Sequence, residues 1–224
     1  MIKTIFHGSS KIIEKPQLLL GKSTNDFGRG FYLTEDIDLG REWSVGFKKK
    51  GYLNKYLIET DGLNILDLTS KPNNLLNWIA LLIANRVFPL SSDLSISASE
   101  FILEHYLIDT RECDVIIGYR GDSSFFAFVK DFLEGRTTYL QLKKAIQKSN
   151  LGTQIVLVSD YAINRLSFIE CETAQYQTYY RKKLIRDERE RAVYFNEKNK
   201  FNQKNDFSIR ELLNGEVEND DKRL

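Results

Sequence analysis

The chain has 224 residues, 42% of them hydrophobic and 28% charged, which is enough apolar material for one sizeable core and makes one domain the default. Lysines and arginines (32) nearly balance aspartates and glutamates (31), so a net charge of +1 excludes a global pull toward nucleic acid or an anionic membrane and leaves only local patches. Two histidines and two distant cysteines, Cys113 and Cys171, fit no metal or redox spacing, so metal and nucleophile–base chemistry have little to work with.

Taken in order, Ile2–His7 alternates as a first strand and runs into Gly8-Ser9-Ser10. Lys11–Asn25 lacks clear periodicity and is expected to cross the surface toward a glycine loop. Phe27-Gly28-Arg29-Gly30 then enters a strand at Phe31–Thr34, where Phe31 and Tyr32 should face opposite sides. Glycines here permit positive φ and close backbone approach. Asp36 or Thr34 can cap a helix with Ile37, Leu39, Trp43, Val45 and Phe47 on its apolar face, ending in Lys48-Lys49-Lys50, where cations suit the helix dipole. A contact with a phosphate-bearing target is the sharper reading of that lysine run.

Tyr52–Glu59 and Leu63–Asp67 read as strands, and Asp61-Gly62 between them favours a hairpin turn. Asn73–Val87 and Ser97–Leu107 read as helices, the second capped by Ser97 or Ser99. His105 on that helix has no acidic or cysteine partner at ligand spacing and is expected to be a surface or packing residue. Val115–Gly118 is a short strand. Asp122-Ser123-Ser124 opens a helix through Phe125, Phe126, Val129 and Phe132, which Gly135 stops. Tyr139–Lys148 is a further helix, and Gln154–Val158 a further strand. Tyr179–Lys200 has high helix propensity and a mixed charge run, read either as a solvated face with i,i+4 pairs or as a target-binding surface. Asn214–Leu224 is expected to fray.

Nothing at the N-terminus reads as a signal peptide, and the longest apolar stretch, Leu75–Leu90, contains Asn77, Asn85 and Arg86 and is too short to span a bilayer. A soluble cytoplasmic protein with reduced, buried thiols is expected. No internal repeat or low-complexity segment is present. The loop Gly28-Arg29-Gly30 lacks the third glycine and the strand-to-helix context of a dinucleotide-fold fingerprint.

Three segments together carry a resemblance: His7-Gly8-Ser9 at the end of the first strand, Asp26 through Thr34, and Arg41-Glu42-Trp43-Ser44. They resemble the NAD-binding half of the ADP-ribosyltransferases, in the branch of diphtheria toxin and the poly(ADP-ribose) polymerases with its His…Tyr…Glu signature. The likeness is closer to an uncharacterised bacterial family within that superfamily and runs from about Lys3 to about Ile169. It implies an α+β fold of two packed, mainly antiparallel sheets with helical insertions. It also implies a catalytic domain over residues 1–170, with 171–224 as a charged helical extension.

By the same resemblance the catalytic set is His7, Tyr32 and Gln154, and NAD+ is a co-substrate held without a metal. His7 would bind a ribose hydroxyl of the adenosine half, Gly8 the nicotinamide amide, with Ser9 beside it. Tyr32 would stack on the nicotinamide, while Phe27, Gly28 and Gly30 would close the loop near the dinucleotide. Gln154 departs from the signature, since relatives usually carry glutamate there; Asp160, Glu170 and Glu172 are candidate substitutes for its charge. Losing one preorganised charge costs roughly a hundredfold to a thousandfold in rate, and it disfavours chain elongation. The expected activity is transfer of one ADP-ribose unit to a protein, RNA or DNA acceptor, in the manner of toxins of toxin–antitoxin or phage-defence systems, with an antitoxin as a further partner. The alternatives are a catalytically silent module that binds NAD or an ADP-ribosylated partner, and an NAD glycohydrolase.

Overall fold

The computed structural model describes residues 1–121, 123–149, 152–200, 206–218 and 221–224, apart from the side chains of residues 19 and 123–125. The chain forms two compact units, each drawn from three separate stretches. The first comprises Met1–Asp67, Asp109–Arg120 and Gly152–Asp187; the second comprises Leu68–Ile108, Gly121–Leu151 and Glu188–Leu224.

The first unit holds seven strands in two sheets, the protein's mixed α+β framework. One sheet has the order β1-β3-β7, all antiparallel, from β1 (Ile2–Ser9), β3 (Gly51–Glu59) and β7 (Leu166–Ala174). The other has the order β2-β6-β5-β4, from β2 (Phe31–Leu33), β6 (Thr153–Leu157), β5 (Val115–Tyr119) and β4 (Ile65–Asp67). Its pairs are antiparallel except β4 with β5. Alternation along each strand sends one set of side chains inward. Ile5, Tyr56 and Ile58 from the first sheet therefore share a core with Phe31, Leu33, Val115, Ile155 and Leu157 from the second. The sheets are stitched at one point, where Phe6 and Thr34 exchange both backbone hydrogen bonds at 2.8 and 2.9 Å.

The Asp61-Gly62 turn exists, with Gly62 at φ 79° and Leu63 N–H donating to Thr60 O, but it does not make a hairpin. β3 stays in the first sheet while β4 crosses to the second and pairs in parallel with β5. The helix α1 (Ile37–Ser44) is capped by Asp36 as expected but ends before the lysines. Gly46 and Lys49 instead close a tight turn with reciprocal backbone bonds of 3.1 and 3.0 Å, and Lys48 takes φ 57°. Phe47 consequently projects 64% exposed rather than lining the helix's inner face. The bulged strand β7 and the short helix α6 (Asp160–Ile163) have no counterpart in the sequence reading.

The second unit is helical, with α2 (Leu75–Asn85), α3 (Asp93–Tyr106), α4 (Ser123–Leu133), α5 (Tyr139–Ser149) and α8 (Ile209–Leu213). The long α7 (Tyr176–Lys198) begins in the first unit and ends in this one. Leu75, Leu76, Trp78, Ile79, Ala80, Leu81 and Leu82 are all buried, which is why that stretch reads as a nearly continuous apolar run broken only by Asn77, which takes part in the helix's capping box. The cap of α3 is Ser92 rather than Ser97 or Ser99, because Ser92 and Ser95 complete a capping box in which each side chain accepts from the other's backbone N–H. The expected cap at Asp122 lies outside the described residues. Gly135 does terminate α4's segment at φ 69°. His105 stacks on Phe101 and hydrogen-bonds its carbonyl, a local packing role. Val217, expected in a frayed tail, is buried. Both cysteines are free but only half-buried: Cys113 lies in the loop before β5, and Cys171 lies on β7, the edge strand of its sheet.

Candidate functional site

The stitch between Phe6 and Thr34 decides the local geometry, because it draws the end of β1 alongside β2. His7, the next residue, stacks on Phe31 with ring centroids 4.3 Å apart, and Phe31 meets Tyr56 edge-on at 5.7 Å. Its Nδ1 lies 2.7 Å from the Tyr32 carbonyl oxygen. A carbonyl can only accept, so Nδ1 carries the proton and Nε2 is left as the acceptor of a neutral imidazole. Burial pushes the His7 pKa below its ordinary value of 6.5, against the opposing influence of the Tyr32 hydrogen bond, and so favours that neutral form.

Opposite residues of an antiparallel pair share a face, and Tyr32 opposes Val156. Gln154, two residues along β6, therefore faces the same side as Tyr32. Both side chains are engaged by the loop before β2. The Tyr32 hydroxyl donates to Gly28 O at 2.8 Å and accepts from Phe27 N–H at 3.0 Å. Gln154, 3% exposed, donates through Nε2 to Asp26 Oδ2 at 2.8 Å and to Tyr119 O at 3.2 Å. Both partners are acceptors, which fixes the amide's orientation and leaves Oε1 as its end for a further donor.

The glycines of this region are required by close packing. A Cβ on Gly8 would sit 2.1 Å from Gly40 O, because the backbone of α1 lies directly over it. One on Gly30 would sit 2.5 Å from Val156 Cγ1, and Gly28 holds φ 73°. Ser9 accepts a local bond from Lys11 N–H. Phe27 is buried.

His7, Phe27, Gly28 and Tyr32 are thus linked by hydrogen bonds and Gln154 joins them through Asp26 at the head of the same loop, whereas Gly8 and Ser9 adjoin them only through the chain. The acids named as substitutes for a charge at Gln154 are engaged elsewhere. Glu172 grips Arg41 through two bonds of 2.6 and 2.9 Å, Glu170 pairs with Lys55 at 2.8 Å, and Asp160 opens α6. The carboxylate beside Gln154 is Asp26, 6% exposed, whose signal in the sequence was only its place at the head of the glycine loop. Asn54 was also missed. Wholly buried, it donates to His7 O and Lys11 O and accepts from Ile13 N–H, so it holds the end of β1 in place. A polar residue in phase with the inward Tyr56 and Ile58 was the available clue.

Among the described residues no group of three or more metal-ligating side chains forms, and no helix is long and apolar enough to cross a membrane. Fold and site together define a mixed α+β protein of two mainly antiparallel sheets, with a polar constellation where β1, β2 and β6 converge. Residues 3–168 match a family described as a protein of unknown function, DUF3990, and the chain belongs to that family. No curated protein and no solved structure matches it.

Proposed function

We propose that the protein is a cytoplasmic mono-ADP-ribosyltransferase that takes NAD+ as co-substrate. The observation that carries this reading is the convergence of His7, Tyr32 and Gln154, far apart in sequence, with His7 bonded to the Tyr32 backbone and Gln154 on Tyr32's side of the β2–β6 pair. The two-sheet framework is consistent with an ADP-ribosyltransferase fold.

In the proposed reaction the bond between nicotinamide and ribose breaks, and nicotinamide leaves with the electron pair. A bond forms from the ribose carbon to an acceptor oxygen or nitrogen, which gives up its proton. Positive charge on the ribose must be stabilised as the leaving group departs. The Nε2 of His7 and the Oε1 of Gln154 supply acceptors for ribose hydroxyls, and the Tyr32 ring offers a planar face. Asp26 supplies the negative charge that Gln154 lacks, one hydrogen bond away. The acceptor is a macromolecule, in keeping with a toxin of a toxin–antitoxin or phage-defence system.

The occupied state of the Tyr32 hydroxyl and the Gln154 amide favours a second reading, a silent module that binds NAD or an ADP-ribosylated partner. Incubation with labelled NAD+ and lysate, fractionated into protein, RNA and DNA, separates the two. Transfer is expected in one fraction and should fall at least about a hundredfold in Tyr32→Ala. Tyr32→Phe keeps the ring and loses the tie to the loop, so it should retain most activity. Label that persists in a folded Tyr32→Ala variant would sink the assignment; nicotinamide release without labelled macromolecule would point to a glycohydrolase.

A further inference from the structure

The lysine run and the start of α7, both read from sequence as possible target contacts, lie side by side in the first unit. Phe47 and Tyr180 approach to 5.7 Å between ring centroids. Around them cations lie over aromatic rings: Lys48 Nζ is 5.2 Å from the Phe47 centroid, Lys50 Nζ is 5.7 Å from that of Tyr52, and Arg41 and Lys182 lie 5.6 and 5.2 Å from that of Tyr179. The positive φ of Lys48 turns the chain so that residues 47–50 are all exposed.

The local charge is far from the chain's near-neutral balance. Arg41 and Lys182 are cancelled by Asp38 and Glu172. Lys48, Lys49, Lys50, Arg181 and Lys183 then remain, with no carboxylate partner among the described residues. Cations and aromatic faces interleaved in this way have the chemistry of a single-strand platform, in which phosphates meet ammonium and guanidinium groups while unpaired bases stack on rings.

We propose that this surface binds single-stranded RNA. A duplex keeps its bases stacked on each other and leaves the rings nothing to take up. A bilayer would call for a continuous apolar face, whereas here the exposed Phe47, Leu184 and Ile185 are interspersed with Lys48, Lys49, Lys50, Arg181 and Lys183, and the tyrosine rings are half-buried. Each tyrosine also carries at its ring edge a hydroxyl able to pair with a ribose 2′-hydroxyl, the group that separates RNA from DNA. None of these residues belongs to the His7–Tyr32–Gln154 neighbourhood, so the surface stands or falls apart from NAD chemistry.

The test is fluorescence anisotropy of the full chain with a labelled mixed-sequence RNA of ~12 nucleotides, within the usual single-strand site size. The DNA of the same sequence, the duplex RNA, and vesicles of phosphatidylserine and phosphatidylcholine serve as competing ligands. Single-stranded RNA should bind best and weaken steeply with salt. Lys48→Glu with Lys50→Glu should lower the magnitude of the log–log salt slope by about 1.4, at ~0.7 per phosphate contact. Phe47→Ala, which removes an exposed ring and spares the core, should weaken binding about 5- to 150-fold. Absence of binding at low salt, unchanged binding by these folded variants, equal binding of DNA, or preference for duplex or vesicles would each overturn the proposal.

Discussion

Asp26 explains why a neutral amide stands at position 154. A buried carboxylate needs a donor, and an amide at residue 154 supplies one at 2.8 Å whereas a glutamate would not. Placing at position 154 the glutamate of the proposed ADP-ribosyltransferase signature is therefore not a neutral change. Gln154→Glu alone should set two carboxylates against each other in a buried place and lower stability by about 1–3 kcal/mol. Gln154→Glu with Asp26→Asn exchanges donor and acceptor and should recover most of that loss, with nicotinamide release at or above the level of the unaltered chain. Chemical denaturation of the two variants checks this directly, and equal destabilisation in both would show that Asp26 is not the partner that matters. At this scale His7, Tyr32 and Gln154 stand out in the sequence as candidates through the order in which they resemble the ADP-ribosyltransferase signature. The sequence did not reveal Asp26, because a contact across 128 positions leaves no local pattern.

Elements whose ends are marked by local chemistry were legible within a few residues. Asp36 accepts from the N–H groups of Asp38 and Leu39 at 2.9 and 3.1 Å, which is the reason α1 starts at residue 37. Asp36→Ala should cost about 1 kcal/mol and lower the melting temperature, with no change at the exposed lysine turn. An unaltered melting curve would mean that α1 is held by packing alone. Apolar spacing overran the other end of that helix, since Phe47 continues the pattern. The reciprocal bonds between Gly46 and Lys49 divert the chain into β3 before another turn can form. Gly51 shows the same constraint from the other side: a Cβ there would sit 2.0 Å from Ser44 O. β7 escaped notice because its exposed, charged residues on an edge strand dilute the alternation that identifies half-buried strands.

At the level of the whole molecule, neither compact unit is a continuous stretch of chain. The second unit takes its core partly from the C-terminal segment, where Tyr194, Phe207, Ile209, Leu212 and Val217 are all at most 5% exposed. Tyr194 stacks on Phe128 at 3.5 Å and Phe207 on Tyr139 at 4.6 Å. A chain cut after Asp187 should therefore lose hydrogen-exchange protection in α2, α3 and α5, since removing several buried aromatic and aliphatic side chains far exceeds the few kcal/mol of a domain's stability. Native-like protection in those helices would show that the C-terminal segment is dispensable to them.

Most of the periodic elements, the cap of α1, the glycine stop after α4, the order of the candidate site residues and the concentration of charge in two short runs are all written locally in the sequence. Each depends on neighbours within one or two turns of chain, where sterics and local hydrogen bonds act. Long-range packing sets the rest: β3 and β4 belong to different sheets, Asp26 is the acid at Gln154, and the lysine turn meets the aromatic start of α7. Those outcomes depend on long-range pairing and burial, in which residues more than a hundred positions apart satisfy one another's polar groups or cover one another's rings.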